Sequence, residues 1–363
     1  MSFVFSADSH IMEPPDLFVS GLPATLRPRA IQMALRDGYI MTVSGDKVIH
    51  RLRADRPLAA KTTTVRQGTR EISGRLIDME KDGIDAEIVF PSLALWTYVL
   101  EDPELELATA RVYNDWNDGF FAGHLDRFVR CGVLPVRRFE DTLAELKRIA
   151  AKGFTAAMLP SAVPPGLPTY NLPAWDPVFA LAGELGVVLV MHTGTGLENV
   201  VVERGPGAAV INYTRQMMDA QGSIMALVAG GVLDRNPKTQ MAVIESGASW
   251  LAGLSERMDE VYHAHHVYVS PKLSLTPGEI IRRQVKCSFQ SDRACIRSRG
   301  ITGHEAILWG SDYPHAEGTF PRSRDVIRGL FEGVEISEKE KADILGGTAA
   351  RLFRLPASAP IAR

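Results

Sequence analysis

The sequence predicts an α/β fold, a (β/α)₈ TIM-like barrel with an insertion after its first strand. Eight short apolar segments alternate with longer amphipathic stretches along the 363 residues, which is the order of strands and helices in such a barrel. The apolar segments are continuous rather than alternating with polar residues, as is typical of parallel strands that are buried on both faces. The chain length also suits a single barrel of this class.

Each candidate strand is a short apolar run bounded by residues that favour turns. The eight runs are residues 3–7, 87–90, 128–134, 155–159, 187–191, 241–244, 286–290 and 306–309. The run 187–191 is the clearest of them and leads directly into His192, whereas 286–290 is the weakest.

Amphipathic stretches between these runs predict the helices. They cover residues 105–123, 141–151, 175–185, 211–230 and 250–266. Asp102 and Pro103 favour a helix start just before the first stretch, because aspartate caps a helix and proline fits its first turn. Gly153 and Gly186 follow the second and third stretches, and glycine commonly ends a helix.

The first crossover is too long for a single helix. Within residues 14–74, the runs 39–43 and 47–50 flank Ser44-Gly45-Asp46, which predicts a β-hairpin. We interpret 14–74 as an inserted lid over the barrel mouth, within a single domain of residues 1–355 that a flexible tail at 356–363 follows. The loops at 160–174 and 193–210 are further candidates for covering the mouth.

The composition limits the class of protein. Hydrophobic residues make up 45% and charged residues 23% of the chain, which argues against a disordered or coiled-coil protein. The net charge of −3 gives no sign of a nucleic-acid or membrane partner. No apolar run is long enough to cross a membrane, and the N-terminus does not have the pattern of a signal peptide. Three scattered cysteines exclude a disulfide framework, so we expect a cytoplasmic protein.

Histidines and carboxylates lie where four of the predicted strands end. Asp8 and His10 follow the first strand, His192 the fifth, Glu245 the sixth and Asp312 the eighth. A barrel brings the carboxyl ends of its strands together at one mouth, so these side chains can converge on a divalent metal ion. Structural interpretations remain open, because His192 could satisfy a loop carbonyl, Asp312 could belong to a turn and Glu245 could pair with an arginine.

Other residues near the strand ends are candidates for binding a substrate. Arg137, after the third strand, and Arg322, after the eighth, carry charges that suit an anionic group, although each could equally lie at the start of a solvated helix. Trp96 and neighbouring apolar residues favour an aromatic or apolar ligand. We interpret His50 as a surface residue and place His304 at the opposite end of the barrel from the metal ligands.

Several segments resemble amidohydrolase family 2, which includes aminocarboxymuconate-semialdehyde decarboxylase and related non-oxidative aromatic-acid decarboxylases. The opening DSHIMEP at 8–14 and the segment GSDYPH at 310–315 carry the most specific part of the resemblance. Segments at 78–85, 113–116 and 244–247 also resemble the family, in the same order along almost the whole chain.

The resemblance implies a distorted barrel with one divalent metal ion, for which we expect zinc with manganese as the alternative. It implies metal ligands at Asp8, His10, His192 and Asp312. The chain departs from the family in two places. It has Asp-x-His where His-x-His or Glu-x-His is common, and it has Glu245 where a catalytic histidine commonly ends the sixth strand.

We therefore expect a metal-dependent carboxy-lyase or hydrolase of the amidohydrolase superfamily. The first hypothesis is C–C bond cleavage, by non-oxidative decarboxylation or a related reaction, of an aromatic or unsaturated carboxylic acid. Asp312, Glu245 and His315 would be the catalytic residues. The alternative is hydrolysis of an amide, lactone or ester by a metal-bound hydroxide, and a barrel that only binds a ligand is a third possibility. The family also suggests a homodimer.

Overall fold

The computed structural model describes residues 3–55, 66–197 and 201–355 of the chain. The strands of this part are β1 (Phe5–Ser6), β2 (Ile31–Arg36), β3 (Tyr39–Ser44), β4 (Lys47–Arg53), β5 (Ala86–Val89), β6 (Phe128–Val133), β7 (Ala156–Pro160), β8 (Val188–His192), β9 (Met241–Ile244), β10 (Val285–Phe289) and β11 (Ile307–Trp309).

Eight of these strands form a nearly closed parallel barrel. Neighbouring strands run in the order β1-β5-β6-β7-β8-β9-β10-β11. The last strand also lies beside the first, because the Ala7 N–H donates to the Trp309 carbonyl at 2.9 Å and Ser9 is bridged to Tyr313. The predicted fold class is therefore confirmed, including the weakest candidate strand, which is β10.

Helices surround the barrel between its strands. They are α1 (Leu17–Gly21), α2 (Ile72–Asp82), α3 (Pro103–Phe120), α4 (Phe139–Ala151), α5 (Asp176–Leu185), α6 (Ala208–Ala229), α7 (Val232–Arg235), α8 (Trp250–Ala264), α9 (Pro277–Gln284), α10 (Arg293–Arg297), α11 (Arg299–Thr302), α12 (Ser323–Phe331), α13 (Glu338–Ala342) and α14 (Thr348–Leu352). The five predicted helices correspond to α3, α4, α5, α6 and α8. Asp102 caps α3 as expected, since its carboxylate accepts from the Glu104 N–H at 2.9 Å.

The strand register sets which residues meet at the barrel mouth, the end to which the strands' carboxyl termini point. His192, the last residue of β8, is level with Ile244 at the end of β9. The Asp312 N–H donates to the Asp8 carbonyl at 2.9 Å, so the residues after β11 and β1 are hydrogen-bonded to each other. All residues of β5 to β11 are buried, so the barrel interior holds these ends in place.

The insertion after β1 contains a three-stranded antiparallel sheet, in the order β2-β3-β4. The predicted hairpin is confirmed as β3 and β4, but the strand before it was missed. Asp37 and Gly38 join β2 to β3 with φ values of 50° and 75°. This is the conformation that an Asp-Gly hairpin turn requires, so the dipeptide was the available signal.

Some expectations fall outside the described residues. These are 56–65 of the insertion, 198–200 of the loop 193–210 and the tail 356–363. Across the described ranges, no helix combines the length and apolar character needed to cross a membrane. The single domain over 1–355, the cytoplasmic location and the homodimer stay predictions.

Candidate metal centre

Four predicted ligands converge at the barrel mouth, and we call them the candidate centre. The Nε2 atoms of His10 and His192 lie 3.2 Å apart, and each lies 3.7 Å from Asp8 Oδ1. Asp312 Oδ1 lies 3.6 Å from His10 Nε2. None of the four side chains exposes more than 1% of its surface, so the donor atoms are shielded from bulk water.

Main-chain carbonyl groups hold both imidazole rings in one orientation. His10 Nδ1–H donates to the Pro91 carbonyl at 2.9 Å, and His192 Nδ1–H donates to the Thr193 carbonyl at 3.0 Å. A carbonyl only accepts, so the proton of each neutral ring lies on Nδ1 and the Nε2 atoms present lone pairs to each other. Burial, together with His315 and His192, keeps the pKa of His10 well below its usual range, which favours the neutral ring.

The carboxylates of the candidate centre have oxygen atoms that nothing in the described chain satisfies. Both side-chain oxygens of Asp8 and Oδ2 of Asp312 are buried without a hydrogen-bond partner. Burial and the Asp312 carboxylate raise the pKa of Asp8 well above its usual range. No lysine or arginine among the described residues forms an ion pair with either carboxylate. Buried charges of this kind need a cation, and two imidazoles with two carboxylates are a suitable donor set for a divalent metal ion.

Two residues at the mouth have left-handed backbone conformations. The φ values of Glu245 and Asp312 are 59° and 54°, a region that non-glycine residues adopt rarely. The Glu245 N–H donates to Ser288 Oγ at 2.9 Å, and the Asp312 N–H is held by the Asp8 carbonyl. Such strain costs on the order of 1–3 kcal/mol per residue and is found mainly at functional sites.

A second group of side chains borders the candidate centre. Ligand atoms of Glu245, Asp312, His315 and Glu317 all lie within 4.8 Å of one another. His315 Nδ1 donates to Asp312 Oδ1 at 2.7 Å. Burial opposes the charge on His315, but the carboxylates of Asp312, Glu245 and Glu317 outweigh it and raise its pKa to about 10. Burial and Asp312 raise the pKa of Glu245 to about 8.

Arg75 supports the candidate centre from beneath. This fully buried side chain donates from Nη1 to the His10 carbonyl at 2.6 Å and from Nε to Glu87 Oε2 at 2.7 Å. Because Glu87 belongs to β5, the arginine joins this strand to the segment that follows β1. It therefore helps to hold the His10 backbone where the imidazole can reach the other ligands.

An apolar pocket of about 240 Å³ opens beside His315. Its lining comes from the segment after β1, the three-stranded sheet, the turn before α2 and the loops after β5 and β11. The lining residues are Met12, Glu13, Pro15, Met33, Ile40, Thr42, His50, Leu52, Arg70, Ser92, Leu93, Trp96, Pro314 and His315. Trp96 lies in this lining, as its predicted role requires. The insertion thus supplies one wall of the pocket next to the candidate centre.

The structure does not bring the two predicted substrate-binding arginines to this pocket. Arg137 donates to the carbonyls of Leu100, Tyr98 and Pro165, so its guanidinium group joins loops instead of facing a ligand. Arg322 is exposed at the start of α12 and is absent from the pocket lining. The sequence could not separate these residues from ligand-binding arginines, because the carbonyl partners of Arg137 lie far away in the chain.

Three residues of the site were missed or misinterpreted. His50 is half-buried and stacks on Trp96 with ring centroids 5.7 Å apart, so its interpretation as a surface residue was wrong. Arg70 lines the pocket, and Glu317 lies beside Glu245 and Asp312. The position of Glu317 in the loop after β11 was an available signal, whereas Arg70 carried none. His304 lies before β11 as predicted, where it pairs with Asp343.

Comparisons with known proteins agree with this architecture. A family model described as amidohydrolase matches residues 68–355. No curated protein matches the chain. Among solved structures, an amidohydrolase from Mycobacterium avium subsp. paratuberculosis K-10 is 21% identical, with a TM-score of 0.81, and the match covers 97% of this chain and 99% of that one.

Two further similar structures are decarboxylases. A 5-carboxyvanillate decarboxylase from Sphingomonas paucimobilis is 20% identical, with a TM-score of 0.72 over 98% of this chain and all of that one. A mutant 5-carboxyvanillate decarboxylase from Novosphingobium aromaticivorans is 15% identical, with a TM-score of 0.70 over 98% and 97% of the chains. Its structure contains manganese and 3-methoxy-4-hydroxy-5-nitrobenzoic acid. At these identities the likeness establishes the fold.

Proposed function

The chain belongs to the amidohydrolase family of metal-dependent enzymes, and we propose that it cleaves a C–C bond of an aromatic or unsaturated carboxylic acid by non-oxidative decarboxylation. The observation that carries this proposal is that the candidate centre and an apolar pocket lie next to each other. The candidate centre opens, through His315, onto a pocket lined mainly by apolar side chains. The decarboxylases of aromatic acids among the similar structures support the same reaction class.

We propose that Asp8, His10, His192 and Asp312 hold one divalent cation. The facing lone pairs of the two histidines and the unpartnered carboxylate oxygens fit such an ion. The donor set accepts Zn²⁺ or Mn²⁺, because imidazole suits both ions and carboxylates favour the harder one. When bound, the ion supplies a Lewis acid that polarises oxygen atoms of the substrate.

His315 and Asp312 are proposed to move the proton. Loss of a carboxyl group as CO₂ leaves an electron pair on the carbon that carried it, and a proton must replace the broken bond there. The imidazolium of His315, raised in pKa by its carboxylate neighbours, is available at neutral pH as the proton source. Its hydrogen bond to Asp312 Oδ1 orients the ring and joins both groups in one proton path.

Glu245 supports the second candidate function, hydrolysis of an amide, lactone or ester. Its carboxylate Oε2 lies 3.6 Å from His192 Nδ1, at the mouth. A pKa of about 8 lets this group gain and lose a proton near neutral pH. In a hydrolase it would remove a proton from the attacking water, whereas in a lyase it would adjust the charge around the substrate.

The test begins with metal analysis of protein purified without chelator, in which we expect about one ion per chain. Zn²⁺-loaded and Mn²⁺-loaded protein is then offered aromatic and unsaturated carboxylic acids, and CO₂ release is measured. Esters, lactones and amides are assayed in parallel for acid release. Hydrolysis that disappears in Glu245→Gln, with no CO₂ from any acid, would overturn decarboxylation in favour of the second function.

A further inference from the structure

We propose that Arg70 binds a second anionic group of the substrate, apart from the carboxylate that reacts at the candidate centre. The inference rests on the proposed function and narrows its substrate class to aromatic acids that carry a further carboxylate. Four observations lead to it: the position of Arg70, its unpaired charge, the engagement of the one acid in the pocket lining, and the apolar walls.

The backbone holds Arg70 at the edge of the pocket. Residues Gln67–Thr69 form a 3₁₀ turn, and the Arg70 N–H donates to the Gln67 carbonyl at 3.0 Å. The carbonyl of Thr69 accepts from the Met12 N–H at 2.8 Å. This bond attaches the turn to the segment that follows His10, which is one of the predicted ligands. The side chain of Arg70 lines the pocket beside the candidate centre.

The charge of Arg70 has no partner in the described part of the chain. Its Nε is closed off from solvent and makes no hydrogen bond, and no described carboxylate forms an ion pair with its guanidinium group. Arginine stays protonated at any physiological pH. Arg70 is half-buried beside an apolar pocket, and leaving its buried Nε without an acceptor is costly, so an anion that reaches this group is favoured.

The neighbouring arginines show that this segment normally pairs its charges. Arg66 holds Asp78 through two hydrogen bonds of 3.0 and 2.5 Å, from Nε and Nη2. Arg75 holds Glu87 at 2.7 Å. Arg70 lies between these two in the sequence and is the one that faces the pocket, which indicates that its partner comes from a ligand.

The one carboxylate in the pocket lining is already engaged. Glu13 accepts from the main-chain N–H groups of Ser92, Leu93 and Ala94, at distances of 2.9 to 3.2 Å. It therefore holds the loop after β5 and does not neutralise Arg70. Burial lowers the pKa of His50, which also lines the pocket, and this favours a neutral ring over a second cation there.

The remaining walls of the pocket suit the aromatic ring of a substrate that carries two carboxylates. The His50–Trp96 stack, Leu52 and Ile40 offer ring faces and aliphatic surface. Aromatic side chains favour stacking against a substrate ring. An aromatic acid with a second carboxylate satisfies the walls, Arg70 and the candidate centre together.

The test uses two nitrophenols that differ by one carboxylate. The probes are 3-methoxy-4-hydroxy-5-nitrobenzoic acid and 2-methoxy-6-nitrophenol, which is the same ring without the carboxylate. Binding to full-length Mn²⁺-loaded protein is followed by the visible absorbance of the nitrophenol and by calorimetry. Arg70→Gln should weaken binding of the acid by roughly 10- to 100-fold, the value of a charge-assisted hydrogen bond, and that of the phenol by less than about 3-fold.

Arg322→Gln is the matched control, because it removes an arginine charge near the mouth that does not line the pocket, and it should change neither affinity. Arg70→Lys, which keeps the charge, should restore part of the affinity for the acid. The wild-type preference for the acid over the phenol needs no variant and serves as an independent measurement. We expect this preference to fall as salt rises.

Two results would overturn the role of Arg70 and leave the proposed function intact. One is an equal loss of affinity for both probes in Arg70→Gln, and the other is wild-type protein that binds the acid no more tightly than the phenol. Wild-type protein that binds neither probe would also overturn the role of Arg70, whereas the proposed function is decided separately by the CO₂ assay. If Arg70→Gln loses affinity for the acid but not for the phenol, and its metal content is unchanged, the inference is supported.

Discussion

The two ends of β11 each carry a histidine beside a buried aspartate, but their surroundings differ. Before the strand, His304 Nε2 lies 3.1 Å from Asp343 Oδ2. Lys339 Nζ and Arg351 Nη2 also reach this carboxylate, at 2.7 and 2.9 Å. After the strand, His315 bonds Asp312 Oδ1, while Oδ2 of Asp312 has no partner in the described chain.

The difference shows that histidine and aspartate together do not define a metal site. Burial opposes the charge on Asp343, but Lys339, Arg351 and His304 outweigh it and lower its pKa to about 2. At the mouth, burial and Asp312 instead raise the pKa of Asp8. One end is a neutralised ion-pair network, whereas at the other end both oxygens of Asp8 and Oδ2 of Asp312 have no partner in the described chain.

The largest difference between the two ends should appear in metal binding. His192→Ala and Asp312→Asn should each weaken metal affinity and turnover by on the order of 100-fold or more, because each removes a ligand. His304→Ala truncates an imidazole beside an aspartate at the opposite end and should change neither. Metal content by mass spectrometry and calorimetric titration measure the effect. Normal metal content in both mouth variants would contradict the ligand assignment.

A smaller effect is expected in thermal stability when metal is removed. A ligand that binds only the folded state at about 100 times its Kd contributes about 2.7 kcal/mol, which corresponds to a shift in Tm on the order of 5 °C for a chain of this size. Chelator should therefore lower the Tm of wild-type protein and of His304→Ala alike. Asp312→Asn should respond little, and a full response of that variant would show that the ion binds elsewhere.

The smallest expected effect is on the free energy of unfolding. It concerns Asp343, at the end of β11 where the charges are paired, and it depends on pH. Asp343→Asn should lower the free energy of unfolding by about 1 kcal/mol at neutral pH, a value reduced by screening since Lys339 and Arg351 are largely exposed. The folded pKa is depressed, so this stability is present above the unfolded value of 3.8 and is lost as the pH falls towards about 2.

Urea unfolding of wild-type protein and Asp343→Asn at several pH values measures this difference. The gap should narrow between about pH 4 and pH 2, where the unfolded and then the folded carboxyl group take up a proton. Asp325→Asn is the control, because Asp325 and Arg328 form an exposed pair at 3.0 Å that should contribute little at any pH. A gap that is constant with pH would show that Asp343 acts through packing rather than charge.

Much of the fold followed from local pattern. Eight apolar runs predicted the barrel strands because a strand buried on both faces must be apolar throughout. The barrel then places every strand's carboxyl end at one mouth, so His192 and Asp312 could be assigned to a common site before any distance was known. The hairpin of β3 and β4 was also readable, because its turn residues and flanking runs are adjacent in sequence.

The sequence by itself determined the barrel and the residues at its strand ends, because periodicity and strand-end position are local properties. Only the tertiary structure decided which charges are satisfied. Arg137 is engaged by the carbonyls of loops that precede and follow it, whereas Arg70 is left facing a pocket. The two arginines look alike in sequence, since the pairing of a charge depends on partners that folding brings from distant segments, and composition does not encode those distances.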